Sequence, residues 1–351
     1  WVRDLSEETG EDEREAMGGG HALSGGWAGP ITLREPPRPP RPMLPNTFTW
    51  SISRHRVFQQ CRRRYWLAHY GAWGGWTSGA GPEVRARYIE KGLHSVPSLL
   101  GVLVHEAAEW GITMARRGHP PSVERARERY GRQARRILDG SRAGWMRHDP
   151  KRHRGLAEHY YGGDVDDTAF LAELDELLEG MFAHPVYQRV LSVPERVVEM
   201  EDLQTVLVGG IPVWVSPDVV MADGHGGFAV VDWKTGRHQG AAAVDEQLAI
   251  YVLHVLAAHL GGRRQPERVA ALHADLRGGG HRVWRADGGW LARAEALVAE
   301  SARAMRELLS DVASNTADEA RFPGLPDGDP VCARCALRRS CGRESGQKMS
   351  D

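Results

Sequence analysis

The clearest pattern of apolar and polar positions lies between residues 213 and 234, where two apolar runs flank a glycine-rich turn. The first run is rich in valine and passes through Pro217 and Asp218, and the second ends in Asp232-Trp233-Lys234. Apolar runs joined by an Asp-Gly-His-Gly-Gly turn are typical of a β-hairpin. Because alternate residues of a strand face the same side, we expect Asp232 and Lys234 on one face, with the Asp218 carboxylate converging from the partner strand.

Hydrophobic periodicity also predicts the other elements of the chain. We expect helices at 54–67 (with Ser51 or Ser53 as N-cap), 100–110, most of 112–192, 244–253 and 291–309, and strands at 195–201, 203–208, 268–275 and 281–285. Residues 1–46 are acidic, then rich in glycine and proline. They cannot bury enough apolar surface to offset their ordering entropy, so we expect a disordered tail and a folded domain at 47–345.

Composition narrows the classes of function. The 351 residues carry a formal net charge of −1, so nucleic-acid binding must use local basic patches. No apolar run reaches the length of about 18 residues that a membrane span needs. The four cysteines do not suggest a secreted disulfide framework, and no charged-then-apolar leader is visible. A cytoplasmic location is the expectation.

Two carboxylates and an ammonium on one apolar hairpin are costly to bury without a purpose. Carboxylate oxygens suit Mg²⁺ or Mn²⁺, and a lysine beside the metal can orient water or stabilise charge on a phosphoryl oxygen. The chain has only four lysines among its 45 basic residues, so an amine at 234 indicates a specific need. The alternative is an exposed ion pair on a surface hairpin.

Three further groups of residues could belong to a site. His105 lies on an apolar helix and is either a core histidine or a metal ligand. Gln247 and Tyr251 are four residues apart and share a helix face, as a polar pair or as site residues. Arginines crowd residues 116–154 and recur at Arg62, Arg63 and Arg64, as a solvated face or as a track for a nucleic-acid backbone.

The cysteines form the second strong signal. Cys332, Cys335 and Cys341 lie within ten residues near the C-terminus, and Cys61 is the fourth. Such spacing indicates a metal site rather than packing, and four thiolates suit either zinc or an iron–sulfur cluster.

Taken in order, these motifs resemble the PD-(D/E)xK nuclease superfamily, in particular its RecB-like iron–sulfur branch, which includes AddB and CRISPR-associated relatives. The similar features are Cys61, Gly101-x-x-x-His105, Pro217-Asp218, Asp232-x-Lys234, Gln247-x-x-x-Tyr251 and the three C-terminal cysteines. The resemblance implies an α/β (α+β) fold with a restriction-endonuclease-like core, a mixed central sheet flanked by helices, a helical insert at about 112–192 and a C-terminal iron–sulfur clip at 332–341. Val215-Ser216-Pro217-Asp218 departs from the usual Gly-x-x-Asp.

The resemblance also implies the roles of the site residues. Asp218, Asp232 and His105 would hold Mg²⁺ or Mn²⁺, Lys234 would activate water, and Gln247 and Tyr251 would position the strand. Arg62, Arg63 and Arg64 would contact phosphates. Cys61, Cys332, Cys335 and Cys341 would hold a [4Fe-4S] cluster, with zinc as the alternative.

The expected function is therefore a metal-dependent DNA nuclease, an exonuclease on single-stranded ends that serves DNA repair, recombination or antiviral defence. The alternatives are a catalytically weak DNA-binding subunit of a helicase or defence complex, and an RNA-directed nuclease. The sequence has no Gly-x-x-x-x-Gly-Lys string, so a helicase partner would be a separate chain.

Overall fold

The computed structural model describes residues 45–236, 241–262 and 264–343. The predicted N-terminal tail therefore lies almost wholly outside the described residues. None of the described helices is both long enough and apolar enough to cross a membrane.

The strands of the described residues form one central sheet and two small ones. The strands are β1 (Leu93–His94), β2 (Gly155–Leu156), β3 (Val197–Glu199), β4 (Gln204–Val208), β5 (Ile211–Val215), β6 (Val219–Ala222), β7 (Phe228–Lys234), β8 (Val269–Asp275) and β9 (His281–Arg285). The central sheet has the order β3-β6-β7-β8-β9, with β7 and β8 parallel and the other neighbours antiparallel. The small sheets pair β1 with β2 and β4 with β5. The mixed central sheet is as predicted.

Helices cover both faces of this sheet. The α-helices of the described residues are α1 (Ile52–Gln60), α2 (Arg62–Trp66), α3 (Pro82–Lys91), α4 (Val96–Arg116), α5 (Val123–Arg142), α6 (Trp145–His148), α7 (Ala157–Tyr160), α8 (Asp167–Ala183), α9 (Pro185–Ser192), α10 (Ala241–Ala258), α11 (Gly288–Glu307) and α12 (Pro330–Ala333). A π-helical turn, Leu67–Gly71, follows α2, and 3₁₀ turns lie at Pro266–Arg268 and Glu319–Arg321.

Strand β7 separates two hydrophobic cores. Its alternate residues face opposite sides: Val230 packs with α1, α10 and α11, whereas Val231 and Trp233 pack with α4, α5, α8 and α9. Tyr187 of α9 meets Trp233 edge-on at 5.8 Å between ring centroids. The helices of the 112–192 segment thus form one of the two layers over the sheet, and the same alternation turns Asp232 towards α10.

The structure corrects two boundaries. The predicted hairpin divides at residues 216–218, so that β5 pairs with β4 and only β6 pairs with β7. Pro217 lies at this break, where its missing N–H costs no ladder hydrogen bond. The predicted helix 54–67 is interrupted at Cys61, whose backbone is extended at φ −160° and ψ 117°. Of the two predicted N-cap residues, Ser51 caps α1: its hydroxyl accepts a hydrogen bond from the backbone N–H of Arg54.

Candidate active site

Asp218 and Asp232 meet where β6 begins and β7 ends. The register pairs Val219 with Val231, which places Asp218 opposite Asp232 on the neighbouring strand. Asp232 is fully buried and Asp218 is 6% exposed. Asp218 Oδ2 accepts a hydrogen bond from the backbone N–H of Trp233 at 2.6 Å, and Asp232 Oδ1 accepts one from Lys234 Nζ at 2.7 Å. The strands thus bring the two carboxylates and the lysine together, as the sequence predicts.

His105 reaches this cluster from α4. Its Nδ1 lies 3.5 Å from Asp218 Oδ1 and 2.9 Å from Glu201 Oε1. Gly101, one turn earlier, faces Thr235: a Cβ at Gly101 would lie 3.2 Å from Thr235 Oγ1. The small residue lets α4 approach the end of β7, so Gly-x-x-x-His has a packing reason here.

Glu201 is a site residue that the sequence analysis missed. It adopts a left-handed backbone conformation, φ 53°, which is uncommon for a residue with a side chain. Two groups just before Asp218 hold it there: its N–H donates to the carbonyl of Pro217 at 3.1 Å, and Ser216 Oγ donates to its carbonyl at 3.0 Å. Ser216 and Pro217, at the two variable positions before Asp218, thus support an additional carboxylate. The only sequence signal was an acidic residue at the end of a predicted strand.

The donor atoms suit a hard divalent cation. Among the described residues, His105, Glu201 and Asp218 form the one group whose ligand atoms all lie within 4.8 Å of one another. Asp232 Oδ2 is buried and has no hydrogen-bond partner. A buried carboxylate oxygen without a donor is costly, and a cation is the partner that would satisfy it. Of the three predicted metal ligands, His105 and Asp218 belong to this group and Asp232 does not. Glu201 is the third member of the group and lies closer to His105 than Asp218 does.

The electrostatics of the cluster show that it favours additional positive charge. Burial raises the pKa of Asp218, and burial together with the Asp218 charge raises the pKa of Asp232 to about 6. Burial opposes protonation of His105, but Asp218 and Glu201 outweigh it and raise the pKa of His105 to about 9. A divalent cation that binds to these groups would displace their protons.

Gln247 joins the cluster to α10 and α1. Its Nε2 donates to Asp232 Oδ1 at 3.0 Å and to the Tyr251 hydroxyl at 2.8 Å, and its Oε1 accepts from Arg56 Nη1 at 3.1 Å. Burial raises the pKa of Tyr251 well above its usual value, and the Asp232 charge adds to this shift. The predicted pair Gln247 and Tyr251 therefore lies at the site, and Arg56 is a second contact that sequence reasoning missed.

Cys61 meets the three C-terminal cysteines at one pocket, although it is about 270 residues away from them in sequence. Cys61, Cys332, Cys335 and Cys341 line it as free thiols. Burial raises the pKa values of Cys335 and Cys341, and the charge of the neighbouring Cys61 adds to both shifts. Cys61 Sγ caps α2 by accepting from the backbone N–H of Arg64 at 3.4 Å, which explains the break in the predicted helix.

The C-terminal cysteine segment, residues 330–343, is also attached by contacts that involve no sulfur. The backbone N–H of Ser340 donates to the Glu90 carboxylate at 3.1 Å, and the Tyr161 hydroxyl donates to the carbonyl of Ala336 at 2.7 Å. These contacts attach the segment to α3 and to the residue that follows α7.

The arginines after Cys61 contact groups of the protein itself. Arg63 forms an ion pair with Glu319, and the Arg62 guanidinium lies 3.7 Å from the ring centroid of Phe58. Arg64 donates to the side-chain oxygen of Gln60. Phosphate binding by Arg62, Arg63 and Arg64 stays a prediction.

Comparison with known proteins identifies the family. A family model of the PD-(D/E)XK nuclease superfamily matches residues 49–342, which include both aspartates, Lys234 and all four cysteines. A search of curated proteins finds no match. Nucleases of this superfamily use divalent metal ions such as Mg²⁺ and hydrolyse phosphodiester bonds. Because the match covers most of the chain and includes the site, this protein belongs to the PD-(D/E)XK nuclease superfamily.

Proposed function

We propose that this chain is a metal-dependent deoxyribonuclease that degrades DNA from single-stranded ends. The observation that carries the catalytic part is the buried Oδ2 of Asp232, which lacks a hydrogen-bond partner beside a second buried carboxylate and a lysine. An arrangement selected only for stability would pair or replace that oxygen, since buried ionic groups are often less stable than apolar substitutes.

Each residue of the cluster has a role that its contacts support. His105, Glu201, Asp218 and the free oxygen of Asp232 would hold one or two divalent cations. When bound, the metal polarises the phosphodiester and lowers the pKa of its bound water. Lys234, whose side chain is 14% exposed, remains accessible to substrate while hydrogen-bonded to Asp232, so it can orient water and stabilise a phosphoryl oxygen.

Gln247 acts on this cluster through Asp232. Its amide fixes the orientation of the Asp232 carboxylate, and the hydrogen bonds of Gln247 with Arg56 and Tyr251 fix the amide in turn. Side chains that are held in this way need little reorganisation when the substrate binds.

The preference for DNA ends rests on the resemblance to RecB-like exonucleases, and the ordered motifs from Cys61 to Cys341 support it. A helicase or another repair or defence subunit fits the same resemblance as a partner. A DNA-binding subunit without turnover is the second candidate, and the complete set of two aspartates and a lysine argues against it. An RNA-directed nuclease is the third, which the choice of substrate tests.

For the four cysteines we favour a [4Fe-4S] cluster over zinc. Zinc–sulfur bonds of about 2.3 Å at tetrahedral angles would bring the four sulfurs within about 3.8 Å of one another. Within the described residues no three of the cysteine sulfurs form a group with all separations below 4.8 Å. The wider spacing suits a larger cluster, whose bonds would join α2 to the C-terminal cysteine segment.

The test is cleavage of end-labelled single-stranded and duplex DNA by anaerobically purified protein with Mn²⁺, Mg²⁺ or EDTA. We expect metal-dependent shortening of the single strand from an end, loss of activity in Lys234→Ala, and normal activity in the control Lys91→Ala. Cleavage at the wild-type rate by Lys234→Ala would refute the assigned site. Cleavage of RNA in preference to DNA would refute the substrate assignment.

A further inference from the structure

A large cationic pocket is lined mainly by residues of α5 and by residues 145–154. Its volume is about 640 Å³, within the range of sites that hold a nucleotide-sized ligand. Its lining residues include Gln133, Arg136, Trp145, Lys151, Arg152 and Arg154. Four of these residues are Arg or Lys, and the lining set contains no Asp or Glu.

The positive charge of this cationic pocket is only partly neutralised. Arg154 forms an ion pair with Glu106, and Arg152 lies 3.6 Å from Asp149. Arg136 and Lys151 are exposed at the pocket, and neither forms an ion pair with another residue that the structure describes. Two free cations at a concave surface form a site for an anion, because the low-dielectric walls focus their field.

Trp145 gives the pocket an aromatic wall that is held in place. Trp145 is 39% exposed. Its ring packs so closely on Gly140 that a Cβ there would lie 2.4 Å from Cε3, and His153 meets it edge-on at 5.3 Å between centroids. A fixed, exposed indole beside free cations is the combination that binds an unstacked base and its phosphates.

One carboxylate connects the cationic pocket to the candidate active site. Glu106, the residue after His105 on α4, accepts a hydrogen bond from Gln133 at 2.7 Å and forms the ion pair with Arg154. Both partners of Glu106 line the pocket. Since successive helical residues are about 100° apart, the pocket and the metal ligand occupy neighbouring faces of α4.

We propose that the cationic pocket binds single-stranded DNA, with a base stacked on Trp145 and phosphates at Arg136 and Lys151. This extends the proposed function, on which the choice of DNA rests, by assigning a binding site for the strand next to the catalytic cluster. A duplex does not fit the same site, because its bases are stacked inside the helix and cannot reach the indole.

The test measures binding of a fluorescein-labelled single-stranded oligonucleotide to the full chain in EDTA, where no metal-dependent cleavage occurs. Trp145→Ala should weaken binding about tenfold with an unchanged salt dependence, because stacking is lost. Arg136→Ala should lower the slope of log K against log salt by about 0.7, the value for one phosphate contact on a single strand. Trp145→Phe should restore most of the affinity.

Arg135→Ala is the matched control, since Arg135 is exposed on the same helix next to Arg136 but does not line the pocket. Equal effects of Arg135→Ala and Arg136→Ala, or unchanged binding in both pocket variants, would overturn the proposal. An equal loss of duplex binding in Trp145→Ala would also overturn it. Cleavage by Lys234→Ala would refute the proposed catalytic site and leave these binding results intact, so the two failures are distinguishable.

Discussion

The carboxylate cluster and the thiol cluster are two candidate metal sites that the fold supports in different ways. Asp218 and Asp232 are buried on the central sheet and accept hydrogen bonds from Trp233, Lys234 and Gln247. The four thiols are half-buried; Cys61 lies between α1 and α2, and the other three lie in the C-terminal cysteine segment. The fold alone therefore holds the carboxylates in place, whereas a metal bound to the thiols would itself stabilise the fold.

This difference predicts opposite consequences of metal loss. If a metal binds at the carboxylates, its removal would leave buried charges but keep their scaffold, so activity would be lost and the fold would remain. If a metal binds at the thiols, its removal would break the connection that it makes between α2 and the cysteine segment, so stability would be lost first. The following variants test that contrast.

The largest effect is expected from Asp232→Asn. Loss of the carboxylate should reduce cleavage by on the order of 10³-fold, about 4 kcal/mol of transition-state stabilisation. The melting temperature should stay the same or rise, because burial raises the pKa of Asp232 and an amide has no charge to desolvate. Single-turnover cleavage with Mn²⁺ and thermal denaturation measure the two quantities. Wild-type cleavage, or a strongly lowered melting temperature, would contradict the assignment.

Cys335→Ser should have the opposite effect: stability should fall and cleavage should be retained. We expect iron and sulfide to be lost and the melting temperature to fall by at least about 5 °C, since 1 kcal/mol corresponds to about 2–4 °C in a domain of this size class. Cleavage by the remaining folded protein should persist at low temperature. The control is Ser340→Ala, which keeps the backbone hydrogen bond to Glu90. An unchanged melting temperature in Cys335→Ser would remove the structural role of the thiols.

The site could be predicted from the sequence where its geometry is local. Asp232 and Lys234 share a face because strand side chains alternate, and Gln247 and Tyr251 share one because they are a helical turn apart. The ordered motifs then predicted the mixed sheet with helices on both sides, as the structure has it.

The parts that the sequence could not predict depend on distant contacts. Glu201 reaches His105 because Ser216 and Pro217, fifteen and sixteen residues later, hold its backbone in a left-handed conformation. Cys61 breaks a helix whose apolar periodicity continues through it, since its sulfur caps the next helix. Neither hydrophobic periodicity nor secondary-structure propensity indicates a contact between residues that are distant in sequence.

Glu201→Gln should have an intermediate effect on the carboxylate cluster. We expect Mn²⁺ binding and cleavage to fall about 10- to 100-fold, as is usual when a carboxylate that contacts a metal-binding histidine is replaced. Glu109→Gln on α4, which changes the same charge one turn after His105, is the control. Calorimetric titration with Mn²⁺ measures the binding directly. Equal affinities in the two variants would exclude Glu201 from the site.

The smallest effect concerns the attachment of α10, the helix that carries Gln247 to Asp232. Glu199 of β3 accepts hydrogen bonds from His254 and His259 at 2.7 Å each, and although burial opposes it, these contacts lower the pKa of Glu199 to about 2. The carboxylate therefore stabilises the fold above the usual glutamate pKa of about 4.3, and this contribution is lost as the pH falls towards 2.

Glu199→Gln should cost about 2 kcal/mol of unfolding free energy at pH 7, and the difference from wild type should shrink steadily below about pH 4. Urea denaturation at pH 7, 5, 4 and 3 measures this dependence, with the exposed Glu300→Gln on α11 as the control. Cleavage by Glu199→Gln should weaken much less than in Asp232→Asn, because α10 stays packed in its core through Leu248 and Val252. A difference from wild type that is independent of pH would show that Glu199 acts by packing and not by its charge.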